Sequence, residues 1–131
     1  MTPELTTLAL AGLLQAVLFT LYAIPANREL TPAYTTSPRD VPPKRPMSVK
    51  TARLQRALNN GFEALILFTL AVVVVTLGQQ STQLTQTCGW LFLAARALYI
   101  LAYWFGWAPW RSVIWSVGFF ATLIMIVAAL L

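Results

Sequence analysis

The chain has no histidine, one cysteine and only four acidic residues among its 131 positions. Without imidazole, histidine acid–base catalysis, Ser-His and Cys-His nucleophile pairs and His-ligated zinc or haem are excluded. The lone thiol, Cys88, excludes an internal disulfide and a multi-thiolate metal centre. Glu4, Glu29, Asp40 and Glu63 are too scattered for a carboxylate dyad or a calcium loop, so no metal is expected. Charge of either sign is scarce. Charged residues make up 10% of the chain, against about 25% in ordinary globular proteins, and apolar and aromatic residues reach 58%. A soluble domain of this size needs a polar exterior, because its surface is large relative to its volume. The composition predicts one domain, residues 1–131, with a lipid-facing exterior.

The few charges are unevenly placed. None falls from Leu5 to Asn27, from Ala64 to Ala95, from Ala97 to Trp110 or from Ser112 to Leu131. A membrane-crossing helix needs about 20 predominantly apolar residues. The first run predicts a span near Leu5–Ile24. The polar stretch Gly78-Gln79-Gln80-Ser81-Thr82-Gln83 divides the next run, and its glycine stops a helix. A second span is therefore expected from about Thr51 to Leu77 and a third from about Leu84 to Phe105. Gly106-Trp107-Ala108-Pro109 reads as a turn, and a fourth span fills Trp110–Leu131. The expected fold is an all-α membrane protein, a four-helix transmembrane bundle. The segment before the first span, Met1-Thr2-Pro3-Glu4, lacks the positive flank of a signal peptide, so that span is expected to stay in the membrane.

Arg28, Arg39, Lys44, Arg45 and Lys50 fall in the first connection, with Arg53 and Arg56 just beyond it, and Arg111 ends the third. The positive-inside bias puts the first and third connections in the cytoplasm and both termini outside. The plainest role of the basic connection is contact with solvent and anionic headgroups. Nucleic acid is not an expected partner, because the connection contains Pro25, Pro32, Pro38, Pro42, Pro43 and Pro46 and offers no recognition helix. These prolines predict a stiff, extended, non-helical connection, able to lie as a lid over the cytoplasmic end.

Two stripes of polar residues lie at membrane depth. Arg56, Asn60 and Glu63 share a face of the second span, extended by Arg53, and Arg96, Tyr99 and Tyr103 share a face of the third. Arg96 lies near the middle of its span, where an unpaired charge costs at least a few kcal/mol. A structural pairing with Glu63 is the simplest remedy. Alternatively, the stripes build a cytoplasm-facing pocket of Arg53, Arg56, Arg96 and Arg111 with amide, carboxylate and phenol groups. Such a set suits a small ligand bearing several carboxylates and an ammonium group, because Arg forks onto carboxylates. Glutathione fits that description, and so do other polyanions. Cys88 lies far from these groups and reads as a small buried hydrophobe. Trp104, Trp107, Trp110 and Trp115 read as an interfacial belt.

The string Arg53-Leu-Gln-Arg56-Ala57-Leu-Asn-Asn60-Gly-Phe-Glu63 resembles the second-helix signature of the membrane-associated proteins in eicosanoid and glutathione metabolism, the MAPEG family. Ala95-Arg96-Ala-Leu-Tyr99-Ile-Leu-Ala-Tyr103 is similar to the next signature, and Ala108-Pro109-Trp-Arg111-Ser112 to the turn before the fourth helix. The resemblance covers most of the chain. It implies a homotrimer of four-helix protomers that holds glutathione between neighbouring subunits. By position, it implies that Arg56, Asn60, Glu63, Arg96, Tyr99 and Tyr103 bind glutathione. Arg53 joins this set, and so does Arg28, through an alignment offset by a residue or two. Arg111 falls beside the thiol with Ser112 next to it, as the catalytic pair. Two departures separate this chain from many members: Ala64 follows Glu63 where a tyrosine is common, and the loop from Tyr103 to Arg111 is short.

The resemblance implies a glutathione-dependent transferase or peroxidase acting on a lipophilic electrophile or hydroperoxide taken from the bilayer. The alternative is a non-catalytic membrane binding or scaffold protein that keeps the fold, an alternative motivated by the missing tyrosine. A small four-span exporter fits poorly, since such exporters rely on a glutamate within the first helix. No organelle signal is visible, and a bacterial inner membrane is the expected location.

Overall fold

The uncharged runs become four long helices: α1 (Pro3–Leu30), α3 (Val49–Leu77), α4 (Gln83–Phe105) and α5 (Trp110–Leu130), with one extra turn, α2 (Pro32–Thr35). The computed structural model describes residues 1–42, 46–107 and 109–131. Pro43, Lys44 and Arg45 of the basic connection and Ala108 of the last turn lie outside the described residues.

Helix starts follow local chemistry. The hydroxyls of Thr2, Ser48 and Thr82 accept from the backbone N–H groups of Leu5, Thr51 and Thr85, satisfying donors that a helix start leaves open. Thr85 returns a bond to the Thr82 backbone, completing a capping box. Gly106 ends α4 in the left-handed conformation, at φ 70°. At the end of α3 the left-handed residue is Gln79, at φ 53°, while Gly78 stays right-handed at φ −80°.

At about 1.5 Å per residue, even α5, with 21 residues, spans roughly 30 Å, the thickness of the hydrocarbon core. All four long helices are apolar enough to cross, and the protein is an integral multi-pass membrane protein. Only 22% to 39% of each apolar window is buried within the chain, so most of it lies on the outside of the bundle.

The core has two parts. In the half toward the α3–α4 turn, Ala11, Phe68, Val72, Cys88, Phe92, Ala121 and Met125 pack together, with the Phe68 and Phe92 rings stacked at 3.9 Å. Leu18, Leu54, Ala57 and Leu58 fill the other half. Cys88 is buried as a small apolar group.

Polar groups that the charge map did not single out fasten α1. Glu4 is fully buried and accepts from the hydroxyls of Ser81 (2.8 and 3.0 Å) and Thr85 (2.9 Å). Gln15 Nε2 donates to the Leu58 carbonyl at 2.9 Å, over Gly61, where a Cβ would collide with the Gln15 amide. Glu29 accepts from the Ser48 backbone N–H and from the Ser48 and Thr51 hydroxyls, joining the end of α1 to the start of α3.

The first connection departs from its expected form. Pro25 lies inside α1, which continues to Leu30, and Pro32 opens α2. Proline fixes φ at a helix-compatible value and is well placed at a first turn. Asn27 Nδ2 donates to the Ala23 carbonyl beside Pro25, and Arg28 complements the helix C-terminus.

Candidate functional site

The polar stripes of α3 and α4 meet at the α5 end of the bundle. Arg96, near the middle of α4, is only 7% exposed, and Tyr99, one turn on, is 4% exposed. Tyr103 is half-buried, as is Asn60 on α3. Arg96 Nη1 donates to Asn60 Oδ1 at 2.8 Å. The guanidinium also lies over the Tyr99 ring, 4.4 Å from its centroid. Tyr99 meets Tyr103 edge to face at 4.9 Å, and the Arg111 guanidinium covers the Tyr103 ring at 4.9 Å. A continuous file therefore runs Asn60, Arg96, Tyr99, Tyr103, Arg111, with cations at two of its positions held on aromatic faces.

The expected Arg96–Glu63 pairing is replaced by the Asn60 amide. Glu63 lies nearly a full turn beyond Asn60 on α3 and is exposed. An amide held at 2.8 Å satisfies part of the guanidinium without a second charge being buried.

Two adjoining cavities flank this file. One, of about 170 Å³, is lined by Asn60, Glu63 and Arg96 at its polar side and by Ala64, Leu67, Phe92, Ile114 and Phe119 elsewhere. The other, of about 370 Å³, is lined by Asn60, Tyr99, Tyr103, Arg111, Ser112, Trp115 and Ser116. Asn60 and Trp115 line both. Seven of the site residues expected from the sequence thus line one or both cavities: Asn60, Glu63, Arg96, Tyr99, Tyr103, Arg111 and Ser112.

Three do not. Arg53 reaches toward α4, with Nη1 3.4 Å from the Trp104 carbonyl and its guanidinium beside Gly106. Arg56 and Arg28 are exposed and line neither cavity. Among the described residues, no part of the first connection lines either cavity.

Trp115 and Ser116 belong to the site rather than to a lipid-facing belt alone. They follow Arg111 and Ser112 at i, i+4 spacing, which places each pair on one helix face. That spacing was the available sequence signal, masked by the abundance of tryptophan around the turn.

Arg111 and Ser112 stand in the first turn of α5, whose start carries no side-chain cap. The positive end of the helix dipole and the Arg111 guanidinium thus act on the same region and favour an anion. Among the described residues, no group of three or more His, Cys, Asp or Glu side chains is placed to hold a metal ion.

Compared with protein families, residues 7–131 match the model of the MAPEG family. No curated protein matches the chain.

Proposed function

The chain belongs to the MAPEG family, and from that premise we propose that it is a glutathione-dependent transferase or peroxidase acting on lipophilic electrophiles or hydroperoxides. The observation that carries this reading is the file from Asn60 through Arg96, Tyr99 and Tyr103 to Arg111, open along two adjoining cavities. Its donor set fits glutathione. Arg96 and Arg111 match carboxylate and thiolate, the tyrosine hydroxyls and Asn60 match peptide groups, and Glu63 matches the ammonium group.

Glutathione, when bound, supplies the thiol that the chain itself does not place at the site. The role of Arg111 is to favour the thiolate over the thiol. A guanidinium beside the sulfur lowers a pKa that is near 8.5 in water, and more strongly where water is excluded. The uncapped start of α5 adds to that field, and Ser112 offers a hydroxyl beside it. Trp115 supports entry of an apolar reactant, since its exposed indole lines both cavities. The product is a thioether conjugate from an electrophile, or an alcohol and water from a hydroperoxide as two glutathione thiols are oxidised to the disulfide.

We propose a homotrimer as the working form. Arg56, Asn59 and Glu63 lie exposed on α3, and a charge facing lipid is costly, so a second protein surface is needed there. Assembly also gives Arg28 and Arg56 a route to a neighbouring subunit's ligand, and Arg53 a place at its edge. The orientation proposed puts the basic first connection and the Arg111 turn in the cytoplasm of a bacterial inner membrane, following the distribution of Lys and Arg.

Isothermal titration of the purified assembly with glutathione tests this reading. Saturable binding at millimolar concentration or below is expected, and no heat of binding at that concentration would end it.

A further inference from the structure

A third cavity lies away from the file. It holds about 470 Å³ at the opposite side of α4, between α1, α3 and α4. Its deeper walls are apolar: Leu21 and Pro25 of α1, Leu54 of α3, and Ile100, Leu101 and Trp104 of α4. Leu21 and Leu101 are about half exposed, so the groove opens sideways on the outside of the protomer. Its mouth is polar, formed by Glu29, Ser48, Lys50 and Thr51. Leu21 precedes Glu29 by two turns of α1, so the apolar walls lie roughly 12 Å below the polar mouth.

We propose that this groove binds one anionic phospholipid, with an acyl chain against Leu21, Leu54 and Leu101 and the headgroup phosphate at Lys50. The polarity gradient of the groove follows that of a lipid: charged at headgroup level, apolar beneath. Lys50 is the cation at the mouth, and the Glu29 carboxylate there is engaged by other groups. Glu29 is turned toward Ser48 and Thr51, whose N–H and hydroxyl groups it accepts. The Lys50 ammonium is exposed and rests 4.7 Å above the Trp104 ring, which positions it over the groove. Arg53, another cation at this end of α4, is turned toward the Trp104 carbonyl and Gly106 and does not line the groove. Trp104 is the interfacial type of side chain that sits at headgroup level.

The groove and the exposed polar stripe of α3 face different ways. At about 100° per residue, Lys50, Thr51 and Leu54 point roughly 80–240° around α3 from Arg56, Asn59 and Glu63. A neighbouring subunit that covers the stripe leaves the groove to the bilayer.

Native mass spectrometry of the full chain, exchanged from mild detergent into equal phosphatidylglycerol and phosphatidylcholine, tests the assignment. Wild-type protein should retain phosphatidylglycerol about fivefold over phosphatidylcholine, the scale of one lysine contact at a membrane surface. Lys50→Gln should bring that ratio close to one. Arg39→Gln, which removes the same charge from the connection outside the groove, should leave it unchanged. Leu101→Trp, which fills the groove, should lower retention of both lipids with helix content intact by circular dichroism. Equal retention of both lipids by the wild type would overturn the proposal. So would an equal loss in Arg39→Gln and Lys50→Gln, which would mean a diffuse field. A Leu101→Trp chain that keeps its lipid and changes the mass of the assembly would identify another copy as the occupant instead.

Discussion

At the scale of single residues, two arginines carry different burdens. Arg96 is buried at mid-membrane and is held in place by Asn60 and the Tyr99 ring, which satisfy it in part. Arg111 is exposed at the start of α5 and its contact among these groups is the Tyr103 ring, which leaves its N–H groups available. In the proposed function, holding falls to the first and activation to the second. Arg111→Ala should lower the conjugation rate about a hundredfold, the scale of removing one preorganised donor. The sign of the accompanying pH effect follows from the chemistry. A guanidinium lowers the thiol pKa, so its loss raises that pKa and moves the rising limb of the rate profile to higher pH. A variant with the wild-type rate and profile, followed with a chromogenic electrophile, removes Arg111 from this role.

At the scale of helices, the placing of α1 depends on small residues as much as on apolar ones. Gly61 admits the Gln15 side chain to the Leu58 carbonyl, and Gly89 faces Thr7, whose Oγ1 would be 2.7 Å from an added Cβ. Small residues at such crossings let membrane helices approach closely, where apolar burial alone gives little drive. Gly61→Ala should destabilise the protein by about 1–3 kcal/mol, the cost of overpacking, read as a lower midpoint of thermal unfolding in detergent. Adding Gln15→Ala to that variant should recover part of the loss. If the double variant unfolds at or below the midpoint of Gly61→Ala alone, the Gln15 contact is not the source of the strain. Neither contact was legible from charge, because Gln15, Thr7 and the glycines are neutral residues within apolar runs.

At the scale of the whole molecule, the single chain leaves charged and polar groups exposed on a membrane-spanning helix. Arg56, Asn59 and Glu63 lie exposed along α3, beside exposed Phe62 and Ile66, in a helix long and apolar enough to cross the bilayer. Lipid is a poor neighbour for the first three and an adequate one for the last two. Native mass spectrometry in mild detergent should find a particle of three chains. A chain that stays monomeric at micromolar concentration would remove the trimer and, with it, the role given to Arg28. The spans themselves were readable because hydrocarbon penalises charge, so uncharged runs mark their limits within a few residues. The largest error was at α1, where Pro25 did not end the helix.

Composition and spacing determined that this chain crosses a membrane four times, and which faces of α3 and α4 are polar. Those properties depend on the period of the helix and on the cost of charge in lipid, and both act on any isolated segment. Only the tertiary structure decided which groups meet. It gave Arg96 to Asn60 rather than Glu63, drew Trp115 into both cavities, left Arg53 at the Trp104 carbonyl, and set Lys50 over Trp104 above an apolar groove. Helix crossing and rotation fix such pairings, and they are set by packing at glycines and alanines that carry no charge and little hydropathy of their own.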